Sequence, residues 1–329
     1  MIKFSIIITT YNRLPLLKRA IESALNQTIP CEVIVVDDGS TDGTQDYVNR
    51  LGNRVIYFRN LVNKGHSATV NTGVEIAQGD WIKLLDDDDY LAPNCLEEMA
   101  KAIAIHPEAV ICSCQAIQVN KHGIEVTRTQ CNPSEPLYYI PQEDIHYGML
   151  FDQVPFGTPV QVAFQKEAFL LSGGWNPEFD SNNDDSYSWI VLAQYGDAIF
   201  MNKYLAYRTL WEGGCSGQLS LQDRLKTNIL IKEKIYSLVS PKYALFLPKR
   251  ETLIRYLQLH WFLVGLKNRC IFKAFQVADR ALFSPQAWLF LIKILLSKKR
   301  HSKSSLSLQK RLAELNPSLE TEQLALMKI

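Results

Sequence analysis

Residues 3–9 and 32–37 form short apolar runs rich in β-branched side chains, and each run ends in polar groups. Runs of this kind suit strands covered on both faces. Between them, the segment Leu14–Leu25 carries apolar residues at 17, 20, 21, 24 and 25, the spacing of one helix face, with Pro15 in its first turn. Strand, helix and strand make a βαβ unit, and the pattern repeats. The spacing predicts a helix at about 43–50 whose start Ser40, Thr41 or Asp42 can cap, a strand over 55–58, a helix at about 66–77 and a strand over 81–85. Such alternation predicts an α/β layered domain with a mostly parallel sheet. From about 108 to 180 the pattern is mixed, with strands expected at 109–112 and 160–164 and a long loop with a short helix over 129–157. From about 219 onward only helices are expected.

In a parallel sheet, ligands collect at the carboxyl ends of the strands. Three predicted strands end on polar groups: Thr9-Thr10-Tyr11-Asn12, Asp37-Asp38-Gly39-Ser40, and Asp86-Asp87-Asp88-Asp89. Four adjacent carboxylates repel one another and call for a compensating cation. A hard divalent ion, Mg²⁺ or Mn²⁺, prefers carboxylate and phosphate oxygens. An isolated run of four aspartates reads as a solvated acidic turn. The acidic strand end upstream and the pair Asp184-Asp185 downstream favour a binding site instead.

Composition narrows the function classes. Thirty-five basic and 34 acidic residues leave a net charge of +1, which gives no global attraction for nucleic acid. The seven cysteines are odd in number and scattered, unlike a disulfide framework, and Cys112-Ser113-Cys114 lacks zinc-site spacing and reads as packing. The segment Met1–Ile8 reads as a first strand rather than a signal peptide, and no apolar run approaches the roughly 20 residues that span a bilayer. The expected compartment is the cytosol.

Phe4–Arg13, Glu22–Thr28 and Glu32–Thr44 resemble the opening of the family 2 glycosyltransferases. Asn63-Lys64-Gly65, Asn71-Thr72-Gly73 and Ala77–Asp80 continue the resemblance, and Leu85–Asp89 stands in the place of the family's Asp-x-Asp motif. Gly173-Gly174-Trp175 and Asp184-Asp185 are similar to its later Gly-Gly-Phe and Glu-Asp motifs. The resemblance runs from residue 3 to about 217.

It implies a GT-A fold: residues 1–218 as a nucleotide-sugar-binding half (1–107) and an acceptor half (108–218), followed by a helical region over 219–329. It also implies inversion at the anomeric carbon of a nucleotide-activated sugar. Thr9, Tyr11 and Asp38 would hold the base, Asp86 or Asp87 the ribose, Asp88 the Mn²⁺ or Mg²⁺ ion, and Asp185 would be the general base. The chemistry is consistent with the residues, since a displacement by a hydroxyl needs a base and a departing diphosphate needs a cation. The pair at 184–185 also suits a helix N-terminus, and the two readings are compatible. Asp184 and Arg208 are candidates for diphosphate or acceptor contacts, Arg208 because a guanidinium fork suits phosphate oxygens and a surface ion pair being the alternative.

Departures from the family pattern are Asp184 in place of Glu, Tyr187 in place of a frequent Asp, and Trp211 in place of a frequent His. Tyr207–Trp211 with Ser216 is only loosely similar to the closing segment of non-processive members, and the Gln-x-x-Arg-Trp motif of processive synthases is absent. Transfer of one sugar from a UDP-sugar to a glycan or lipid-linked acceptor of the cell surface is expected. The alternatives are a sugar nucleotidyltransferase, which needs a Gly-rich loop that Thr9–Arg13 does not supply, and a non-catalytic nucleotide-sugar-binding protein, against which Asp185 argues. His66 follows Asn63-Lys64-Gly65, where it could face the nucleotide, but as a lone histidine it reads as a structural or exposed residue and is left out of the site. Residues 287–303 join an apolar run to the basic run Lys298–Lys303, which fits a peripheral membrane contact on the inner face of the plasma membrane or a core or subunit-contact helix.

Overall fold

The computed structural model describes residues 2–129, 137–154, 156–180, 184–210 and 220–301, with side chains through Ile294. Cys131, Trp211, Cys215, Ser216 and the side chains of the basic run 298–303 lie outside the described residues. The chain divides into two compact units, Met1–Gln142 with Phe156–Cys215, and Glu143–Pro155 with Ser216–Ile329.

The first unit is built on one sheet of ten strands: β1 (Phe4–Thr10), β2 (Glu32–Asp37), β3 (Ile56–Arg59), β4 (Trp81–Asp86), β5 (Tyr90–Leu91), β6 (Ala109–Asn120), β7 (Glu125–Arg128), β8 (Leu137–Ile140), β9 (Val162–Gln165) and β10 (Asp197–Leu210). The main path runs β3-β2-β1-β4-β9-β6-β10-β5. Pairing is parallel among β1, β2, β3 and β4 and between β6 and β10, while β9 runs antiparallel to both β4 and β6. The helices in chain order are α1 (Leu14–Leu25), α2 (Thr44–Arg50), α3 (His66–Ile76), α4 (Cys95–Ile105), α5 (Gln142–Leu150), α6 (Lys166–Leu171), α7 (Asp184–Leu192), α8 (Leu221–Leu238), α9 (Arg250–Lys267), α10 (Ile271–Ala278) and α11 (Pro285–His301). The expected mixed, mostly parallel GT-A-type sheet with a helical C-terminal region is borne out. Strands β5, β7, β8 and β10 are additions to the expectation, β8 within the stretch expected to be a loop with a short helix, and Arg208 lies on β10.

Burial explains the apolar runs. All seven residues of β1 are buried, and Ile6, Ile7 and Ile8 have no exposed surface. Helix α1 buries Leu17, Ala20, Ile21 and Ala24, the stripe that its spacing predicts. Helix α3 crosses β1 closely because Gly73 faces the sheet; a Cβ there would collide with Ile7 and approach Val36 Cγ2 to 3.2 Å. Lys83 is a buried cation in the middle of β4. Its Nζ donates to the carbonyls of Leu84, Pro159, Val160 and Val162 at 3.2, 3.3, 2.5 and 3.2 Å, which ties β4 to the turn before β9. Burial depresses its pKa. Cys112 and Cys114 are buried in the sheet as packing groups, and the described cysteines are free thiols.

The second unit holds segment 143–155, which precedes the expected boundary at 218, together with α8 to α11. It groups there because Tyr147 stacks on Tyr243 at 3.9 Å, the Tyr243 hydroxyl donates to Asp144 at 2.8 Å, and Lys232 Nζ donates to the carbonyls of Met149 and Leu150 at 2.8 and 2.9 Å.

Candidate active site

The registers set the site. Thr10 pairs with Asp37 and Thr9 with Asp86, so β1, β2 and β4 end side by side. Their carboxyl ends carry the hydroxyls, Tyr11 and the aspartates to one edge of the first unit.

Each carboxylate has its own role in that edge. Asp38 is buried and accepts from Asn60 Nδ2 at 2.8 Å and from the amides of Lys64 and Gly65, both at 2.9 Å. It holds the 60–65 loop in place, and its oxygens retain lone pairs for one further donor. Tyr11 is exposed on the turn after β1, which the left-handed Asn12 (φ +53°) closes. The Asn12 amide donates to Ser40 Oγ at 2.9 Å, and its Oδ1 accepts from the Thr41 amide at 2.8 Å.

Asp87 turns inward. It accepts from Thr10 Oγ1 at 2.8 Å, from Arg13 Nη1 at 3.1 Å and from the Tyr11 amide at 3.4 Å. Burial outweighs Arg13 and pushes its carboxyl up to about 6. Asp87 therefore braces the turn, and of the two ribose candidates Asp86 is the open one, its side chain 28% exposed against 3%. Asp89 is buried and accepts from the Thr209 amide at 2.7 Å. Burial, then the charges of Asp88 and Asp86, push it well above the usual carboxylate range; Arg208 pulls it down. Arg208 thus acts on the field of the tetrad. The main-chain carbonyl of Asp88 accepts from Arg19 Nη2 at 2.6 Å and from the Thr209 hydroxyl.

Oxygens of Asp86, Asp88 and Asp89 lie within 4.8 Å of one another. An all-carboxylate donor set of this span is hard-oxygen chemistry and fits Mg²⁺ or Mn²⁺. The sequence pointed to Asp88 alone; Asp86 and Asp89 join it because the turn after β4 folds the tetrad back on itself, with the Asp89 amide donating to the Asp86 carbonyl at 3.0 Å.

Helix α7 starts at Asp184 beside this edge. His66, the first residue of α3, bridges the two: Nε2 lies 3.1 Å from Asp86 Oδ1 and Nδ1 lies 2.8 Å from Asp184 Oδ2. Burial lowers the imidazole pKa, but hydrogen bonds to Asp184 and Asp86 outweigh it and raise the pKa well above 6.5, so the ring is an imidazolium at neutral pH. Burial would raise Asp86; the hydrogen bond and charge of His66 hold it below the usual range. The His66 ring also packs edge-on against Trp175 at 5.2 Å. Trp175 is held by Asn71, which accepts from its amide at 2.8 Å and donates to its carbonyl at 2.9 Å. Gly174 (φ +74°) allows that approach, since a Cβ there would sit 2.7 Å from Asn71 Oδ1.

Asp185 follows in the first turn of α7. Burial first, then the charge of Asp184, raises its pKa to about 6, against the Ser186 amide that donates to Oδ1 at 2.6 Å. A carboxyl tuned there by burial is suited to proton abstraction near neutral pH. His66 is the site residue that sequence reasoning set aside. A lone histidine carries no signal; its meaning comes from contacts 20 and 118 residues away. His66→Ala leaves two carboxylates facing each other, and the expected loss is about 1 kcal/mol, kept small because the ring is a third exposed. Thermal unfolding at pH 7 measures it; an unchanged midpoint would mean the bridge contributes nothing.

The profile of Glycosyl transferase family 2 matches residues 5–170, just over half of the chain. The chain belongs to glycosyl transferase family 2. Within that family it is 42% identical over 88 residues to UDP-Glc:alpha-D-GlcNAc-diphosphoundecaprenol beta-1,3-glucosyltransferase WfaP of Escherichia coli, covering 26% of this chain and 35% of the relative. It spans less than half the length of the curated relatives it matches. Two solved structures share the fold. Staphylococcus aureus TarS 1–349, in complex with UDP-GlcNAc, superposes with a TM-score of 0.59 at 18% identity, covering 84% of this chain and 91% of that one. The mannosyltransferase PcManGT of Pyrobaculum calidifontis, in complex with GDP-Man and Mn²⁺, gives a TM-score of 0.53 at 20% identity, covering 95% and 86%.

Proposed function

We propose that this family 2 chain is a metal-dependent, inverting glycosyltransferase that moves one sugar from a UDP-sugar to a hydroxyl of a glycan or lipid-linked acceptor in cell-surface polysaccharide synthesis. The observation that carries the reading is the hydrogen-bonded chain Asp86–His66–Asp184. Through it the aspartates of the strand end and the acidic start of α7 form one site, with Asp185 tuned beside them.

In the reaction, an acceptor hydroxyl attacks the anomeric carbon opposite the nucleotide. The new C–O bond forms as the bond from that carbon to the diphosphate oxygen breaks, and the hydroxyl proton passes to Asp185. Tyr11 stacks on the base, Thr9 and Asp38 border it, and Asp86 takes the ribose. Asp88, with Asp86 and Asp89, would hold Mn²⁺ or Mg²⁺, which supplies Lewis-acid neutralisation of the departing diphosphate. Asp184 and Arg208 are the proposed contacts to diphosphate or acceptor. A UDP-sugar is favoured by the TarS complex and by the donor in WfaP's name, and a lipid-linked acceptor by that same name. Mn²⁺ in the PcManGT complex supports the metal.

Among the described residues no helix is long and apolar enough to cross a membrane. We place the chain at the inner face of the plasma membrane as a peripheral protein, with 287–303 contributing contact. On α11, Ala287, Leu291 and Ile294 are buried while Leu289 and Ile292 are exposed. A screen of UDP-, GDP- and dTDP-sugars for Mn²⁺-dependent hydrolysis tests the central reading. Hydrolysis of one UDP-sugar is expected; turnover of none, or of GDP- and dTDP-sugars alone, would reject it.

A further inference from the structure

The second unit carries an apolar surface arranged against the usual rule. On α10 the small residues Ala274, Val277 and Ala278 point inward and are at most 3% exposed. The large ones point outward: Ile271 at 60%, Phe272 at 78% and Phe275 at 55% exposed. Phe283, on the 3₁₀ turn that follows, is 85% exposed. Large apolar side chains are normally the first to be buried, so a cluster of exposed ones carries information. The inward face is small because α9 comes close: a Cβ on Gly265 would stand 2.8 Å from Ala274 Cβ. Ile271, Phe275 and Phe272 fall within roughly 100° of helix arc, given 3.6 residues per turn, and so form one face. Both ends of α10 carry non-glycine residues in the left-handed region, Arg269 at φ +59° and Asp279 at φ +43°. Backbone held in that region is strained, and here it fixes the direction of the helix.

The sequence that carries this face is mostly basic. Lys267, Arg269, Lys273, Arg280 and Lys293 accompany a single acid, Asp279, between positions 267 and 293, and all five cations are exposed. A second copy of the chain would present the same cations and be repelled. The tail beyond residue 301 has four cations, Lys303, Lys310, Arg311 and Lys328, against Glu314, Glu320 and Glu322, so it supplies no net countercharge. An anionic lipid surface answers both properties: it takes aromatic and aliphatic side chains into its interface and attracts the cations that rim them.

We infer that the α10 face, through Phe272, Phe275, Phe283 and Ile271 with Lys273 and Arg280, docks on an anionic phospholipid bilayer. This rests on the peripheral-membrane reading above and deepens it by assigning a contact to α10 in addition to 287–303. Docking there would hold the chain at the surface that displays a lipid-linked acceptor.

The test is sedimentation of the full chain with phosphatidylglycerol–phosphatidylcholine vesicles and with phosphatidylcholine vesicles. Binding to the anionic vesicles is expected to be at least about tenfold tighter and to weaken in about 0.5 M NaCl. Phe272→Ser with Phe283→Ser should reduce it about tenfold or more, as should Lys273→Glu with Arg280→Glu. These positions are exposed, so far-UV circular dichroism and UDP binding should stay at the wild-type values. Equal partition to neutral vesicles, no partition at all, or full binding by both double variants would overturn the inference. If only Lys298→Glu with Lys299→Glu and Arg300→Glu abolishes binding, α10 is ruled out while the contact through 287–303 stands. A dimer dispersed by the Phe variants would assign the face to a second copy and overturn it as well.

Discussion

Replacing Asp185 with Asn is expected to leave UDP affinity within about twofold of wild type and to lower the transfer rate by about 10²–10⁴, the usual contribution of a positioned base. The fold should tolerate the change. Asp185 Oδ1 accepts from the Ser186 amide, and an asparagine Oδ1 accepts in the same way. The amide cannot take the acceptor proton, so the loss falls on the chemical step rather than on donor binding. The pH profile gives an independent check. The carboxyl is held at about 6 by burial, so above pH 6 it is ionised and competent. Below that value the competent fraction falls about tenfold per pH unit, and the rate should fall with it. The Asn variant should lose this acid limb. Full transfer by the variant, or a rate that stays level down to pH 4, would remove Asp185 from the role of base.

The second large effect concerns Asp88. Isothermal titration of the wild-type chain with UDP should show affinity rising about tenfold or more when Mn²⁺ is added. In Asp88→Asn that increment should vanish and transfer should drop by about 100-fold, about 2.7 kcal/mol of barrier. Asp88 suits the test because its side chain is 17% exposed, whereas Asp87 and Asp89 are buried and bonded to Thr10, Arg13 and Thr209. Removing either of those would mix a folding defect with the metal effect. Identical UDP affinity with and without Mn²⁺ in the wild-type chain would sink the metal assignment. Chelation with EDTA should mimic the variant, and added Mn²⁺ should restore the wild type but not Asp88→Asn.

Much of the first unit was legible along the chain because its signals are local. The apolar runs of β1, β2 and β4 and the stripe of α1 each lie within about a dozen residues and fix an element without reference to the rest. The motifs that resemble the family lie mostly at the ends of those elements, which is why the order of aspartates could be placed on one sheet edge in advance. Strand β10 was harder to read. Its 14 residues mix Asn202, Lys203 and Arg208 with apolar positions, since it pairs with β5, β6 and β8 and bends at irregular registers between Met201 and Ala206. Segment 143–155 was likewise opaque, because Asp144 and Tyr147 acquire their meaning only from Tyr243, about a hundred residues later.

By itself, the sequence determined which strands end in carboxylates, that these strands run parallel, and the family to which the chain belongs. Those facts follow from periodicity and motif order, which are properties of neighbouring residues. Only the tertiary structure decided which aspartates face inward and which outward. A turn of four identical side chains has no pattern to read, and its geometry is set by Arg13, Arg19 and Thr209 from other elements. It also decided that His66 joins Asp86 to Asp184 and that Phe272 and Phe283 stand in solvent. Contacts between distant segments depend on how whole elements pack, and a linear pattern does not encode that distance.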